Sequence, residues 1–242
     1  MKSVLITGAS SGIGEQLAKD YLLKGWYVIA CGRSKEKLKE KLTGISENLE
    51  LYAFDISDLE DITQQLKTIR NIDLVILNAG HCEYIDNVKH FDSRLFKRVI
   101  DINVIGTAHC LEVLIPKINE GGQLAIVSST VTLLPLTRSE AYGASKAALD
   151  YLTRSLAIDL APHCIDVSLI RPGFVETPLT AKNTFSMPGI ISCKKASKKI
   201  IKGIENKTQE INFPLFFYLS MKVLSFLPNR LWRSLAIKMI RP

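Results

Sequence analysis

The stretch Ser3–Gly25, SVLITGASSGIGEQLAKDYLLKG, decides the fold class. Ser3 to Thr7 is an apolar run too short for a helix and reads as a buried strand. Gly8-Ala-Ser-Ser-Gly12-Ile-Gly14 follows, and then Leu17, Tyr21 and Lys24 recur at helical spacing before a stopping Gly25. Glycines permit positive φ and let the backbone approach a pyrophosphate, which the free N–H groups and dipole of a helix N-terminus would stabilise. The spacing is GxxxGxG and not GxGxxG. Such a turn alone is consistent with a tight strand-to-helix connection; its place after the first strand is what points to a dinucleotide. A strand opening at residue 3 leaves no room for the charged and apolar regions of a signal peptide, so the cytoplasm is the expected compartment.

Outward from this unit, strand and helix alternate. WYVIACG (26–32) ends at Gly32-Arg33-Ser34, where a dinucleotide fold discriminates the adenosine ribose. An acidic residue there would bind a 2′-hydroxyl. The guanidinium of Arg33, with Ser34 beside it, suits a 2′-phosphate instead, which favours NADP(H) over NAD(H). Lys35 and Lys37 read equally well as solvated charges at a helix start. A lysine-rich helix, SKEKLKEKL, a strand LELYAFD ending at Asp55, a helix from Asp58 and a strand IDLVIL running into Asn78-Ala79-Gly80 continue the pattern. A long helix is expected from about 92 to 119. Asn103 inside it needs partners for its amide, either nearby backbone or a water held near an active site.

Gln123–Leu149 carries the chemistry. LAIV ends in Ser128-Ser129, hydroxyls at a strand's carboxyl end, and Tyr142-Gly-Ala-Ser-Lys146 opens a helix that puts phenol and ammonium on one face. A tyrosine titrates near pH ~10. An opposite charge lowers a pKa by about one to three units, enough to make Tyr142 a general acid/base. An amphipathic surface pair has the same spacing, so the weight comes from the rest of the chain. IDVSLI then runs into Arg171-Pro172-Gly173-Phe-Val175-Glu-Thr177-Pro178, a rigid turn at the ligand edge of an open sheet. Residues 179–192 lack periodicity and read as a mobile loop; a lysine-rich helix (193–206) and the strand EINFP follow.

The 242 residues, 47% hydrophobic and 23% charged, suit a globular protein with a sizeable core, and no linker divides them. Cysteines 31, 82, 110, 164 and 193 form neither a CxxC pair nor a metal-ligand spacing, so no metal is expected. Residues 1–181 hold 19 basic and 22 acidic side chains; residues 182–242 hold 12 and 2. This basic surplus sits in an apolar tail, which points to an anionic membrane surface over nucleic acid. Residues 215–227 contain ten apolar residues in thirteen, too few for a span of about 20, and predict a buried or interfacial helix. After Pro228, Arg230, Ser234, Lys238 and Arg241 occupy one helical face and Leu231, Trp232, Leu235 and Met239 another. Packing on the substrate pocket or across a dimer interface explains that pattern as well as lipid does.

Gly8-Gly12-Gly14, Asn78-Ala79-Gly80, Asn103, Ser129, Tyr142-x-x-x-Lys146 and Pro172-Gly173, in this order, resemble the single-domain, classical branch of the short-chain dehydrogenase/reductase (SDR) family over residues 3 to about 213. The resemblance implies an α/β, Rossmann-type doubly wound parallel sheet of about seven strands with helices on both faces. Residues 1–213 would be the catalytic domain and 214–242 a helical extension. It implies a catalytic group of Asn103, Ser129, Tyr142 and Lys146. Ser129 would bond the substrate carbonyl, Tyr142 protonate it, Lys146 bind the nicotinamide ribose and lower the Tyr142 pKa, and Asn103 position a water. Around NADP(H) it places Gly8, Ser10, Ser11, Gly12, Ile13 and Gly14 at the pyrophosphate, Arg33 and Ser34 at the adenosine ribose, and Asp55 and Ile56 at adenine. Asn78, Ala79, Gly80, Pro172, Gly173, Val175 and Thr177 would complete the nicotinamide end. The expected activity is reduction of an apolar ketone or aldehyde, or the reverse, by a homodimer or homotetramer. The alternatives are a 3-oxoacyl thioester reductase, docking its carrier on the 194–202 lysines, and a non-catalytic dinucleotide sensor. His81-Cys82-Glu83-Tyr84 carries no pattern that the resemblance interprets.

Overall fold

The computed structural model describes residues 1–239. Strands β1 (Ser3–Thr7), β2 (Tyr27–Gly32), β3 (Leu49–Ala53), β4 (Ile72–Leu77), β5 (Ile118–Val127) and β6 (Asp166–Pro172) alternate with helices α1 (Gly12–Leu23), α2 (Lys35–Leu42), α3 (Leu59–Gln65), α4 (Ser93–Ile100), α5 (Gly106–Leu114) and α6 (Glu140–Asp159). The short strands β7 (Val175–Glu176) and β8 (Ile191–Ser192) precede α7 (Cys193–Glu205), β9 (Glu210–Phe213), α8 (Leu215–Leu224) and α9 (Asn229–Met239). The main sheet is seven-stranded and parallel, in the order β3-β2-β1-β4-β5-β6-β9.

Strand periodicity produces the two layers. Val4 and Ile6 of β1 point into one apolar cluster with Leu17 of α1, Leu38 of α2 and Ile200 of α7. Leu5, between them, points into the other with Ile62 of α3, Leu111 of α5 and Leu149 of α6. Each such fully buried Leu or Ile contributes roughly 1.5–3 kcal/mol. Chain order reverses between β1 and β4, and a crevice outside the strands' carboxyl ends at such a switch point is where open α/β sheets take ligands.

The expected helix over 92–119 is broken and shorter. Its hydrogen-bond ladder widens to a π turn at Asp101–Ile105, α5 stops at Leu114, and Pro116, which lacks an N–H, sits in a tight turn before β5 starts at Ile118. The Ser93–Lys117 run is long and apolar enough to cross a membrane by length and composition, yet it packs on α3 and α6 and buries Val99, Cys110 and Leu114. The 179–192 segment is closed at its base by the β7–β8 ladder and contains a turn at Thr180–Lys182. In the tail, Tyr218 and Met221 of α8 and Trp232 of α9 are buried. The apolar face read for α9 is split, since Leu231 and Leu235 stay exposed. Arg241 lies outside the described residues.

Candidate active site

The glycine loop forms the floor of one long cleft. Gly8 has φ +69°, which an L side chain adopts only with strain, and a Cβ on Gly14 would lie 2.3 Å from the Gly8 carbonyl oxygen. Ser11 starts α1 without capping it through its side chain, leaving N–H groups directed outward. Thr7 braces this corner: its hydroxyl accepts from the N–H groups of Asn78 (3.0 Å) and Ala79 (3.1 Å). The donor set and the Cβ-free floor fit the pyrophosphate of a dinucleotide.

The same cleft is lined by Gly8, Ser10, Ser11, Gly12, Ile13, Arg33, Asp55, Ile56, Asn78, Ala79, Gly80, Ser129, Tyr142, Lys146, Pro172, Gly173, Val175 and Thr177. Three expected site residues stand outside its wall. Gly14 packs behind Gly8, Ser34 caps α2 by accepting from the Lys37 N–H, and Asn103 is fully buried. Arg33 is exposed at the lip and has no ion-pair partner among the described residues, whereas burial would raise the Asp55 pKa but the Ser57 N–H and hydroxyl outweigh it and lower it. Asn78 lines the cleft, but its amide donates to the Thr7 carbonyl at 3.1 Å.

At the inner end, the Lys146 ammonium lies 5.8 Å from the centre of the Tyr142 ring and donates to the Val127 carbonyl at 2.9 Å. Burial lowers the Lys146 pKa to about 8. Burial also raises that of Tyr142, with Cys82 adding to it and a hydrogen bond from Ser129 opposing it. The expected lowering of Tyr142 by Lys146 is therefore not what this geometry produces: desolvation outweighs the neighbouring charge, and the phenol is held protonated. Ser128 is engaged elsewhere, with Asp150 and the Lys146 carbonyl. Asn103 uses its amide on protein groups, donating to the His81 carbonyl (2.8 Å) and Ser145 hydroxyl (2.9 Å) and accepting from the His81 N–H (2.7 Å).

His81 to Tyr84 now has an order. Glu83 pairs with both His81 (2.9 Å) and the Arg98 guanidinium (2.8 Å), chiefly the latter lowering its pKa to about 2. Cys82 and Tyr84 lie toward Tyr142: beyond the effect of burial, Cys82 raises the Tyr142 pKa, and Cys82 and Tyr142 raise that of Tyr84. The Tyr84 hydroxyl donates to Asn183 at 2.9 Å and its ring meets Phe185 edge-on at 5.8 Å, so the 179–192 segment rests on it. Period-two alternation would have revealed the two sides, but four polar or aromatic residues give it no apolar marker.

A parallel sheet with a glycine loop at β1 and a Ser-Tyr-Lys group at β5 and α6 defines a nucleotide-dependent oxidoreductase of the Rossmann type. The family model for short chain dehydrogenase matches residues 2–187, and the chain belongs to that family. An uncharacterized oxidoreductase of Myxococcus xanthus is 32% identical over 97% of this chain and 96% of its own. The 11-beta-hydroxysteroid dehydrogenase-like 3 protein of Arabidopsis thaliana is 32% identical over 84% of this chain and 70% of its own. A short chain dehydrogenase from Burkholderia cenocepacia, solved in complex with NADP, superposes with a TM-score of 0.85 over 100% of both chains at 23% identity, a likeness of fold.

Proposed function

We propose that this oxidoreductase is an NADPH-dependent carbonyl reductase, or in reverse an alcohol dehydrogenase, for an apolar ketone or aldehyde. The observation that carries this is the convergence of Ser129, Tyr142 and Lys146 at the inner end of the cleft whose floor is the glycine loop. When bound, NADPH supplies a hydride to the carbonyl carbon. Ser129 holds the carbonyl oxygen by hydrogen bonding, and Tyr142, kept protonated by burial, gives that oxygen its proton. Such a donor contributes roughly 10²–10⁴-fold, and holding the reactants in line supplies much of the rest. Lys146 holds the nicotinamide ribose and offsets negative charge left on the phenol. Asn103 acts as a positioning residue, fixing the His81 backbone and Ser145 beside Lys146.

Arg33 supports the choice of NADPH, being a guanidinium without an ion-pair partner among the described residues, at the carboxyl end of β2 where a 2′-phosphate would lie. Apolar substrates are supported by a run of aromatic side chains, Tyr84, Phe185, Phe174 and Phe217, that begins close to Tyr142 and ends against Gly173 of the cleft wall. Exposed Ile105, Tyr151 and Ile158 suit contact between copies in a dimer or tetramer. Residues 1–213 would form the catalytic domain and 214–242 an extension, on a cytoplasmic enzyme that the tail brings to a membrane. A second reading, reduction of 3-oxoacyl thioesters, draws on the exposed lysines 194, 195, 198, 199 and 202 of α7. Following NADPH oxidation with aldehydes, ketones, steroids and acyl thioesters separates the two: turnover confined to carrier-linked thioesters replaces the first with the second.

A further inference from the structure

Helix α8 has two apolar faces, and among the described residues only one is covered. Phe217, Tyr218, Met221 and Leu224 turn inward, where Met221 meets Trp232 and Leu134 and Phe217 packs on Gly173 in the cleft wall. Phe216 (85% exposed), Leu219 (47%), Val223 (67%) and, just past the helix, Phe226 (78%) form a stripe on the other side. Their spacing of three, four and three residues is that of a single helical face. Leu231 and Leu235 of α9 are exposed as well. Isolated exposed apolar residues are ordinary, but so many from two consecutive helices are the mark of an interaction site.

Charge selects the occupant. After Glu210 the sequence contains no acidic residue, while Lys222, Arg230, Arg233 and Lys238 are all exposed. In a two-fold contact with a second copy the same patch meets itself and sets cation against cation. An anionic bilayer answers both features, taking the apolar side chains among its acyl chains and the basic ones at its headgroups.

We propose that the α8–α9 surface is a docking face for an anionic lipid bilayer and that the cleft opens beside it, so that substrate reaches Tyr142 from the lipid. Phe217 lies 5.5 Å from Phe174, which lies 6.1 Å from Phe185, which lies 5.8 Å from Tyr84. The helix that rests on lipid therefore carries the outer member of an aromatic run whose inner member, Tyr84, lies close to Tyr142. This lipid route rests on the apolar-carbonyl reading of the site; the docking face does not.

Flotation with vesicles of phosphatidylcholine, with and without phosphatidylglycerol, tests the face directly. The full chain is compared with Phe216→Asp/Phe226→Asp and with Arg230→Gln/Arg233→Gln, all exposed and outside the cleft. The expected result is flotation with anionic vesicles only, a loss of roughly tenfold or more for the first variant and roughly fivefold per arginine removed for the second. NADPH affinity, measured on the same samples, should be unchanged in both variants. Equal flotation of all three proteins, or none by the wild type, overturns the proposal. So does a wild type that fails to float but whose oligomer dissociates on Phe216→Asp/Phe226→Asp, which makes the face a contact between copies. Turnover of a water-soluble carbonyl is read separately: its absence counts against the reductase reading and leaves the docking result intact.

Discussion

Lys146 carries its charge where charge is costly. The residue is 3% exposed and burial brings its pKa to about 8. A lysine with a lowered pKa is charged below that value and neutral above it, so the proposed support for the phenol is present at neutral pH and lost as pH rises through about 8. Carbonyl reduction should follow the same curve, with kcat falling above pH ~8 in a buffer series while Tyr142, whose own pKa is raised, stays protonated. A rate that is flat to pH 10 would remove Lys146 from the proton-handling group. Lys146→Met should lose both turnover and NADPH affinity.

Arg33 is the residue on which cofactor choice turns. Loss of a charged hydrogen bond costs about 1.5–3 kcal/mol, so Arg33→Ala should weaken NADPH binding roughly tenfold or more and leave NADH nearly unchanged, as read by fluorescence titration. An equal loss for both cofactors contradicts the assignment.

Among the elements, α6 brings Tyr142 and Lys146 to the sheet, and a buried ionic network holds it there. The Arg171 side chain on β6 is 2% exposed and pairs at 2.8 Å with Asp150 of α6 and at 2.8 Å with Glu210 of β9. Ser128, next to the proposed Ser129, bonds the same Asp150. Breaking a buried pair by removing one partner costs about 3–5 kcal/mol, and Arg171→Met should lower the chemical-denaturation stability by that order. A loss under about 1 kcal/mol, the range of an exposed pair, would show that the network contributes little.

Legibility from sequence also divides by element. β1, the glycine loop and α1 were readable because an apolar run, three glycines and a 3.6-residue period all agree there. The helix expected over 92–119 overruns the observed end: Ile118 and Asn119 belong to β5, whose irregular pairing with β4 is supplied by a strand remote in sequence. The π turn at Asp101–Ile105 leaves no local sign, since a widened ladder depends on where Asn103 finds its partners. In the site, residues that line the cleft follow motif spacing, whereas the Tyr84–Asn183 contact joins two segments without periodicity and the Asp150–Arg171 pair joins a helix to a strand. Neither pair is adjacent in any pattern that one chain displays.

For the molecule as a whole, ligand binding should appear as stability, because a dinucleotide spanning the loop, Arg33 and α6 ties both halves of the sheet together. At a concentration 100 times Kd, binding stabilises the folded state by about 2.7 kcal/mol. For a chain of this size that corresponds to a rise in Tm of roughly 5–11 °C. NADPH should give this shift, NADH a smaller one at equal concentration, and Arg33→Ala should bring the two together. Light scattering should report a dimer or tetramer, and Tyr151→Glu/Ile158→Glu should shift it toward the monomer.

If Tyr142 donates the proton in an NADPH-dependent carbonyl reduction, Tyr142→Phe should expose it, since this change removes one hydroxyl and leaves the ring. NADPH oxidation with the best carbonyl substrate from the panel, measured beside NADPH affinity for the wild type and the variant, is the measurement. Turnover should fall by roughly 10²-fold or more, the scale of a lost general acid, with NADPH affinity nearly intact. A variant that retains more than about a tenth of the wild-type rate, well above what loss of a general acid allows, would contradict that role for Tyr142.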